Sequence, residues 1–335
     1  MRSQTEQEAV RQDTDPAQEP RQPAVLHTFP ETGAREKKLV PVPVLVLVDF
    51  LLLAVALVLF ALFHHVIPRA GQALGTQIQA ELGDFREKFA GMFTSDGSVE
   101  QTGTSYRSGN VNITISEVQQ GSNTYYIADV YVASTGNFRT AFAEGTYGKG
   151  FSEETPAIAQ RVNAILAVNG DYYGNRDNGV VIRNGTLYRD SVYGDVCVLY
   201  ANGEMATYSA EEFDCQAAIE AGAWQAWSFG PALLDENGQA KTFETTDISG
   251  VNPRTAIGYY EPGHYCFVVV DGRQAGYSMG MSFRSLSELF EELGCQAAYN
   301  LDGGRTSVMS YLGEVVNQPY KDGRGVSDIL YITDN

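Results

Sequence analysis

Histidine and cysteine are scarce in this chain, four of each in 335 residues. The histidines (His27, His64, His65 and His264) are scattered, and the cysteines (Cys197, Cys215, Cys266 and Cys295) form no C-x-x-C pair. A His/Cys zinc site is therefore not expected. Positive charge is also in short supply: 23 Lys and Arg stand against 41 Asp and Glu, a formal net charge of -18. Such a surface repels nucleic acid and anionic lipid; nucleic acid is not an expected partner, and the membrane is expected only through one helix. An anionic substrate would need a local cluster of Arg to overcome that field. Trp is limited to two residues, while Tyr at 19 outnumbers Phe at 16. That balance suits half-buried, groove-lining rings whose hydroxyls keep a polar contact. No repeat of fixed period and no low-complexity tract occurs in the C-terminal two thirds.

One long apolar run is present, residues 44–63, interrupted only by Asp49. Its length matches the hydrocarbon core of a bilayer, about 30 Å thick. Asp49 lies near its start, close to headgroup level, where a charge costs less than at the centre. Arg35, Lys37 and Lys38 precede the run, whereas His64, His65 and Arg69 follow it. The stronger positive flank stays inside, so the expected topology is an anchor over 39–66, a cytoplasmic N-terminus and an extracytoplasmic C-terminal domain. A cleaved signal peptide is the competing reading. The run is longer than a usual signal core, and no small-x-small site follows directly. In an exported domain the cysteines serve either as small buried residues or as one or two disulfides. Cys266 with Cys295 is the preferred pair, since each begins an expected core strand.

Residues 1–38 are polar, rich in Gln, Glu, Arg, Thr and Pro, and read as a disordered cytoplasmic tail. The stretch 67–108 reads as a juxtamembrane helix and linker. Leu74, Ile78, Leu82, Phe85, Phe89 and Phe93 recur at helical spacing, and 94–108 is polar. Residues 109–335 read as one domain. Half-buried strands are expected at Val111–Val118 and Tyr125–Ala133. Buried strands are expected at Ala164–Val168, Tyr265–Val270 and Gln296–Leu301, and a hairpin within Asp195–Tyr208. Short helices are expected at Pro156–Asn163 and Ala210–Gly222. Ser282–Leu293 is an amphipathic helix with Leu286, Leu289, Phe290 and Leu293 as its stripe, Ser285 and Glu288 as a capping box and Gly294 as its stop. The fold class is α+β: a mixed β-sheet core with flanking helices, preceded by one N-terminal transmembrane helix. The crossover through Ser282–Leu293 should make the last two strands parallel and close.

Three buried strands end on an acidic residue beside glycine: Asn169-Gly170-Asp171, Asp271-Gly272-Arg273 and Asp302-Gly303-Gly304-Arg305. A single Asp-Gly is ordinarily only a turn. Three of them after apolar strands suggest carboxylates projecting from a rigid platform. Paired carboxylates suit glycoside hydrolysis, one as acid and the other as nucleophile or base. Arg254 and Arg273 offer planar, permanently charged forks for phosphate oxygens.

These residues also carry a resemblance. AVNGDYYG (167–174), VIRNG (181–185), FGPALL (229–234), NPRTAIG (252–258), VVVDGR (268–273), GMS (280–282) and AYNLDGG (298–304) occur in this order, followed by VVNQP and GRGVSDILYIT. Over roughly residues 110–333 the chain resembles the phosphodiester glycosidase family. Its members include an animal enzyme that uncovers mannose 6-phosphate and many bacterial wall-associated proteins. The resemblance implies hydrolysis of a sugar-1-phosphodiester at the glycosidic C–O bond, here on a cell-envelope glycan or exopolysaccharide. It places Asp302, Asp171 and Asp271 as catalytic candidates, with Asp302 and Asp171 ranked first. It places Arg254, Arg273, Asn169, Asn300, Gly303 and Gly304 around the substrate and its phosphate. The family often continues Asp-Gly-Gly with Gly-Ser or Gln-Ser, where this chain has Arg305, Thr306 and Ser307. Arg305 either adds a phosphate contact or narrows the pocket. No cofactor is required by this pattern and no metal-ligand signature is present; a divalent metal beside the carboxylates stays open. Two other readings stand beside this one: a metal-assisted phosphodiesterase that breaks P–O, and a wall-glycan-binding protein without turnover.

Overall fold

The computed structural model describes residues 41–62, 77–78, 80–244 and 246–335. The tail expected over 1–38 therefore lies outside the described residues, as do positions 67–76 and 79 of the expected juxtamembrane helix. Helix α1, Val42–Ala61, is long and apolar enough by length and composition to cross a membrane.

The globular part is built from three sheets. The first has seven strands, in the order β1 (Glu100–Gln101), β2 (Ser105–Arg107), β3 (Val111–Gln120), β4 (Asn123–Val132), β13 (His264–Val270), β12 (Arg254–Glu261), β14 (Ala297–Asn300). The second runs β10 (Met205–Tyr208), β9 (Val196–Tyr200), β11 (Ala223–Trp227), β7 (Gly179–Arg183), β8 (Thr186–Ser191). The third runs β16 (Glu314–Val315), β15 (Met309–Tyr311), β6 (Leu166–Asn169), β17 (Asp328–Ile332), β5 (Phe138–Phe142). Short helices α2 (Thr155–Arg161) and α3 (Cys215–Glu220) and the longer α4 (Phe283–Glu292) flank them. The α+β reading holds, but the strands divide among three sheets rather than one large one. Strands β13 and β14 do run parallel, because each is antiparallel to β12, which lies between them.

Alternation along β13 explains how one strand serves two cores. Tyr265, Phe267 and Val269 face the central core, where Phe138 meets the Tyr265 and Phe267 rings edge-on at 5.3 and 5.2 Å. Cys266, Val268 and Val270 face the opposite way, onto Leu286, Leu289 and Phe290 of α4. There the Cys266 and Cys295 sulfurs lie 3.7 Å apart. The cap of α4 is not the expected Ser285 and Glu288. Ser282 is the N-cap and accepts from the Ser285 N–H, while Glu288 pairs with Arg284. Ser282 wins because its extended backbone precedes the first helical turn, whereas Ser285 is already inside it.

Two expectations fail in the segment before β3. Residues 80–93 are not an α-helix, and 94–108 holds β1 and β2 instead of an unstructured linker. The backbone hydrogen bonds of this strap go to the domain. Ile78 N–H donates to Gly185 O, Gly83 N–H to Ala201 O and Phe85 N–H to Ala133 O, all within 2.8 Å. The apolar residues that mimic a helical stripe act as separate pegs, with Phe85 and Phe93 buried and Phe85 seated against Gly203 and Gly263. Tertiary partners outcompete a short local helix of marginal stability.

Candidate functional site

Asp271 and Asp302 follow parallel strands of the first sheet, so both leave from the same edge. Asp171 follows β6, in the third sheet. Asn169 stitches the two edges together. Its amide donates to the Asp302 carbonyl at 2.7 Å, and its oxygen accepts from the Thr255 hydroxyl at 2.6 Å. Gly170 makes room for Asp328 on the neighbouring β17, since a Cβ there would run into the Asp328 carboxylate. Asn169 is thus a buried positioning residue. Asn300 is likewise buried, and its amide donates to Gly230 O.

Two concavities meet at this seam. One, of about 270 Å³, is lined by Asp171, Tyr172, Asn175, Thr306 and the pair Asp302–Arg324. The other, of about 500 Å³, shares Asp302 and Arg324 and adds Arg254, Arg273 and Arg305 with Gly303 and Gly304. Asp302 therefore faces both spaces. One of its oxygens accepts from the Gly303 N–H at 2.9 Å, and the other pairs with Arg324 at 3.2 Å. Burial raises its pKa, against the lowering effects of Thr306, Arg324 and Gly303.

Asp171 is fixed more tightly. Oδ1 accepts from Arg183 at 2.9 Å and from the Tyr173 N–H, and Oδ2 accepts from the Ser228 N–H. Arg183 also binds Asp328 at 2.8 Å, so one buried guanidinium serves two carboxylates. Burial opposes its charge, yet the two carboxylates outweigh burial and raise its pKa. With two carboxylates on one guanidinium, Asp328 is the one driven toward its neutral form. Among the described residues its Oδ1 has no hydrogen-bond partner, and burial pushes its pKa up to about 7, with Arg183 opposing and Asp171 adding.

Asp271 is not part of either lining. Asn317 and Tyr277 donate to its two oxygens at 2.7 and 2.8 Å, and the Gln318 N–H adds a third bond at 2.9 Å. Burial raises its pKa while these donors lower it. The carboxylate is enclosed and its oxygens are taken by the protein's own donors, which sets Asp271 apart from the two cavity linings.

The arginines share a common arrangement. Arg254 donates through Nε to Met281 O and through Nη2 to Ile248 O and Gly250 O. Arg273 gives Nε and Nη2 to the Asn252 side-chain oxygen, and Arg305 gives the same two nitrogens to Gly323 O. Among the described residues no protein atom accepts from Nη1 of any of the three. Each fork is tied back along one edge and leaves the other for an acceptor in the cavity. Burial, then the nearby Arg273, lower the Arg254 pKa to about 10. Like charges crowded on one cavity are relieved by an anion. Arg273 also holds a φ of +59°, a left-handed conformation that costs about 1 kcal/mol in a non-glycine residue.

The sequence motifs contained Arg183, Arg324 and Asp328 without singling them out. A charged residue closing the fully buried β7, and an acid opening the fully buried β17, were the available signals. Among the described residues no group of three or more His, Cys, Asp or Glu is placed to hold a metal ion.

Residues 162–333 match the signature of the phosphodiester glycosidase family. The chain belongs to that family. The relatives it resembles are distant. The SPbeta prophage-derived uncharacterized protein YomE of Bacillus subtilis is 32% identical over 200 residues, which are 56% of this chain and 30% of that protein. The chain thus spans under a third of that relative's length. The zebrafish N-acetylglucosamine-1-phosphodiester alpha-N-acetylglucosaminidase catalytic domain, auto-inhibited by its pro-peptide, aligns over 80% of this chain and 100% of its own. It does so at a TM-score of 0.53 with 19% identity. A hypothetical protein from Synechocystis aligns over 71% of this chain and 64% of its own, with a TM-score of 0.52 and 12% identity. At these identities the two structures share the fold of this phosphodiester glycosidase family member.

Proposed function

We propose that this protein hydrolyses a sugar-1-phosphodiester at the anomeric C–O bond, on a cell-envelope glycan or exopolysaccharide. The observation that carries the reading is the seam at Asp302–Arg324, where a carboxylate-lined space opens into an arginine-lined one. The sugar occupies the first space and the phosphate the second. Arg254, Arg273, Arg305 and Arg324 hold the phosphate and stabilise it as it leaves. Asp302, beside the bond, attacks the anomeric carbon or activates water. Asp171 answers the positive charge that develops on the sugar ring. A phosphate ester is a weak base and leaves with little protonation, so the general acid matters less than in ordinary glycosidases.

Water supplies the oxygen that ends on the sugar, and the phosphate departs with its bridging oxygen as a monoester. Hydrolysis of a synthetic glycosyl phosphodiester by the full chain, in ¹⁸O-labelled water, tests this. Label on the sugar supports the reading. Label on phosphate replaces it with P–O cleavage, and absence of products leaves a binding protein.

The same reading puts α1 in the membrane, residues 1–38 inside the cell and the globular part outside. The motive is the basic flank before the apolar helix. Protease added to intact cells should then remove the globular part, and its protection would reverse the topology.

A further inference from the structure

Beyond its arginines, the larger cavity has an apolar wall of Phe229, Ile248, Pro253 and Phe283. Ile248 is 73% exposed, and Val251 on the same loop is 55% exposed. Scattered surface aliphatics need no explanation, but these two are held in place by the phosphate-binding machinery itself. The Ile248 and Gly250 carbonyls both accept from Arg254 Nη2 at 2.6 Å. The Asp247 carbonyl accepts from the Asn252 amide, and the Ser249 carbonyl from the Phe283 N–H. The Phe283 ring lies 4.0 Å from the Arg254 guanidinium. The loop, tied at the carbonyls of residues 247–250, thus presents Ile248 on the cavity lining beside the Arg254 cation, with Val251 on the same loop outside that lining.

We infer that the group on the far side of the phosphate is an alkyl or prenyl chain, so that the substrate is a glycosyl phosphoryl lipid. The inference rests on the hydrolase reading above, keeps its bond cleavage and pocket, and puts a lipid where that reading has a glycan beyond the phosphate. With the sugar beside Asp171 and the phosphate among the arginines, the aglycone continues toward Ile248 and Phe283. Asp247 and Asn252 stand on the same lining, but the exposed Ile248 side chain offers a polar glycan no hydrogen bond, whereas a hydrocarbon chain laid on it removes apolar surface from water. Charge complementarity supplies the headgroup contact. The apolar helix α1 would hold the enzyme at the bilayer in which such a lipid resides. The reaction balances as sugar–O–PO₂⁻–O–lipid plus water giving free sugar and lipid phosphate, with one proton shared between phosphate and solvent.

The test is binding, which does not depend on turnover. The full chain in lipid nanodiscs is titrated calorimetrically with octyl phosphate and with ethyl phosphate. Octyl phosphate should bind about tenfold more tightly, as burial of a few methylenes implies. The double variant Ile248→Ser, Val251→Ser should cut that preference to about twofold, and Ile248→Leu, Val251→Leu should restore it. Equal affinities in the unaltered protein overturn the proposal. So does a preference that the serine variant keeps, since partitioning into the bilayer then explains it. Failure of both phosphates to bind removes the site itself. Separately, glycosyl phosphoryl octyl and ethyl diesters are offered as substrates. If neither is hydrolysed while the octyl preference stands, the hydrolase reading fails and the lipid site survives.

Discussion

Asp271 and Asp302 begin from the same sequence device and end in different surroundings. Each follows a buried strand, each precedes glycine, and each leaves the same edge of one sheet. Asp271 is 1% exposed, and its two oxygens accept three hydrogen bonds from the protein. Asp302 has a side chain 14% exposed, one tether to its own turn and one ion pair to Arg324. The difference comes from what surrounds each turn. Asp271 is met by Tyr277 and the 317–318 segment, which close over it. Asp302 is met by Arg324, itself 42% exposed at the side chain, which leaves the seam open. An acidic turn at a strand end is thus a structural clamp when the protein supplies every donor. It becomes a reactive candidate when one face is left to the cavity.

Asp171 is as enclosed as Asp271, with a side chain 1% exposed and three protein donors, yet it lies on a cavity lining, and breaking its support should give the largest effect. Replacing Arg183 with Met strands two carboxylates in the core. A stability loss of about 3–5 kcal/mol is expected, read by denaturant unfolding. A loss below about 1 kcal/mol would mean that Arg183 is not the buried counter-ion of Asp171 and Asp328. At the arginine wall, Arg254→Lys keeps the charge but cannot span Met281, Ile248 and Gly250. Turnover should fall about tenfold or more, and kinetics unchanged from the native protein would remove Arg254 from phosphate binding.

A pH dependence sharpens the account of Asp328. Its folded pKa, about 7, lies above the value of about 3.9 for an unfolded Asp. The folded state therefore holds the proton longer, and this group's contribution to stability falls as pH rises between those values. The Tm difference between the native protein and Asp328→Asn, taken as native minus variant, should decrease from about pH 5 to about pH 8. A difference that increases with pH would show that Asp328 stays ionised throughout.

Much of this arrangement was legible in the sequence, and the omissions have physical reasons. Strands β6, β13 and β14 and helix α4 were clear, because unbroken apolar runs and a helical stripe are local signals. The family resemblance brought Asp302, Arg254 and Arg273 into view, and the structure gathers them on one cavity. Closure of the polar network could not be read, because it is non-local. Asn317 and Gln318 reach Asp271 from 46 and 47 residues away, and Asp328 reaches Arg183 across 145. The strap at 80–93 misled for a related reason. Its apolar spacing fits a helix, but its hydrogen-bond partners Ala133 and Ala201 lie just past the ends of distant strands.

The contrast between the two acidic turns is also the most direct test, made by measuring kcat and Tm together for Asp302→Asn and Asp271→Asn on a glycosyl phosphodiester. Asp302→Asn should lower kcat about a hundredfold or more, as loss of an acid–base or nucleophilic group does, with Tm nearly unchanged. Asp271→Asn turns an amide NH₂ toward donors and should lose about 1–3 kcal/mol of stability, seen as a Tm drop of several degrees, while the folded fraction keeps most of its kcat. The reverse pattern, with Asp271→Asn inactive at native stability and Asp302→Asn active, would contradict the assignment of the site to the Asp302–Arg324 seam.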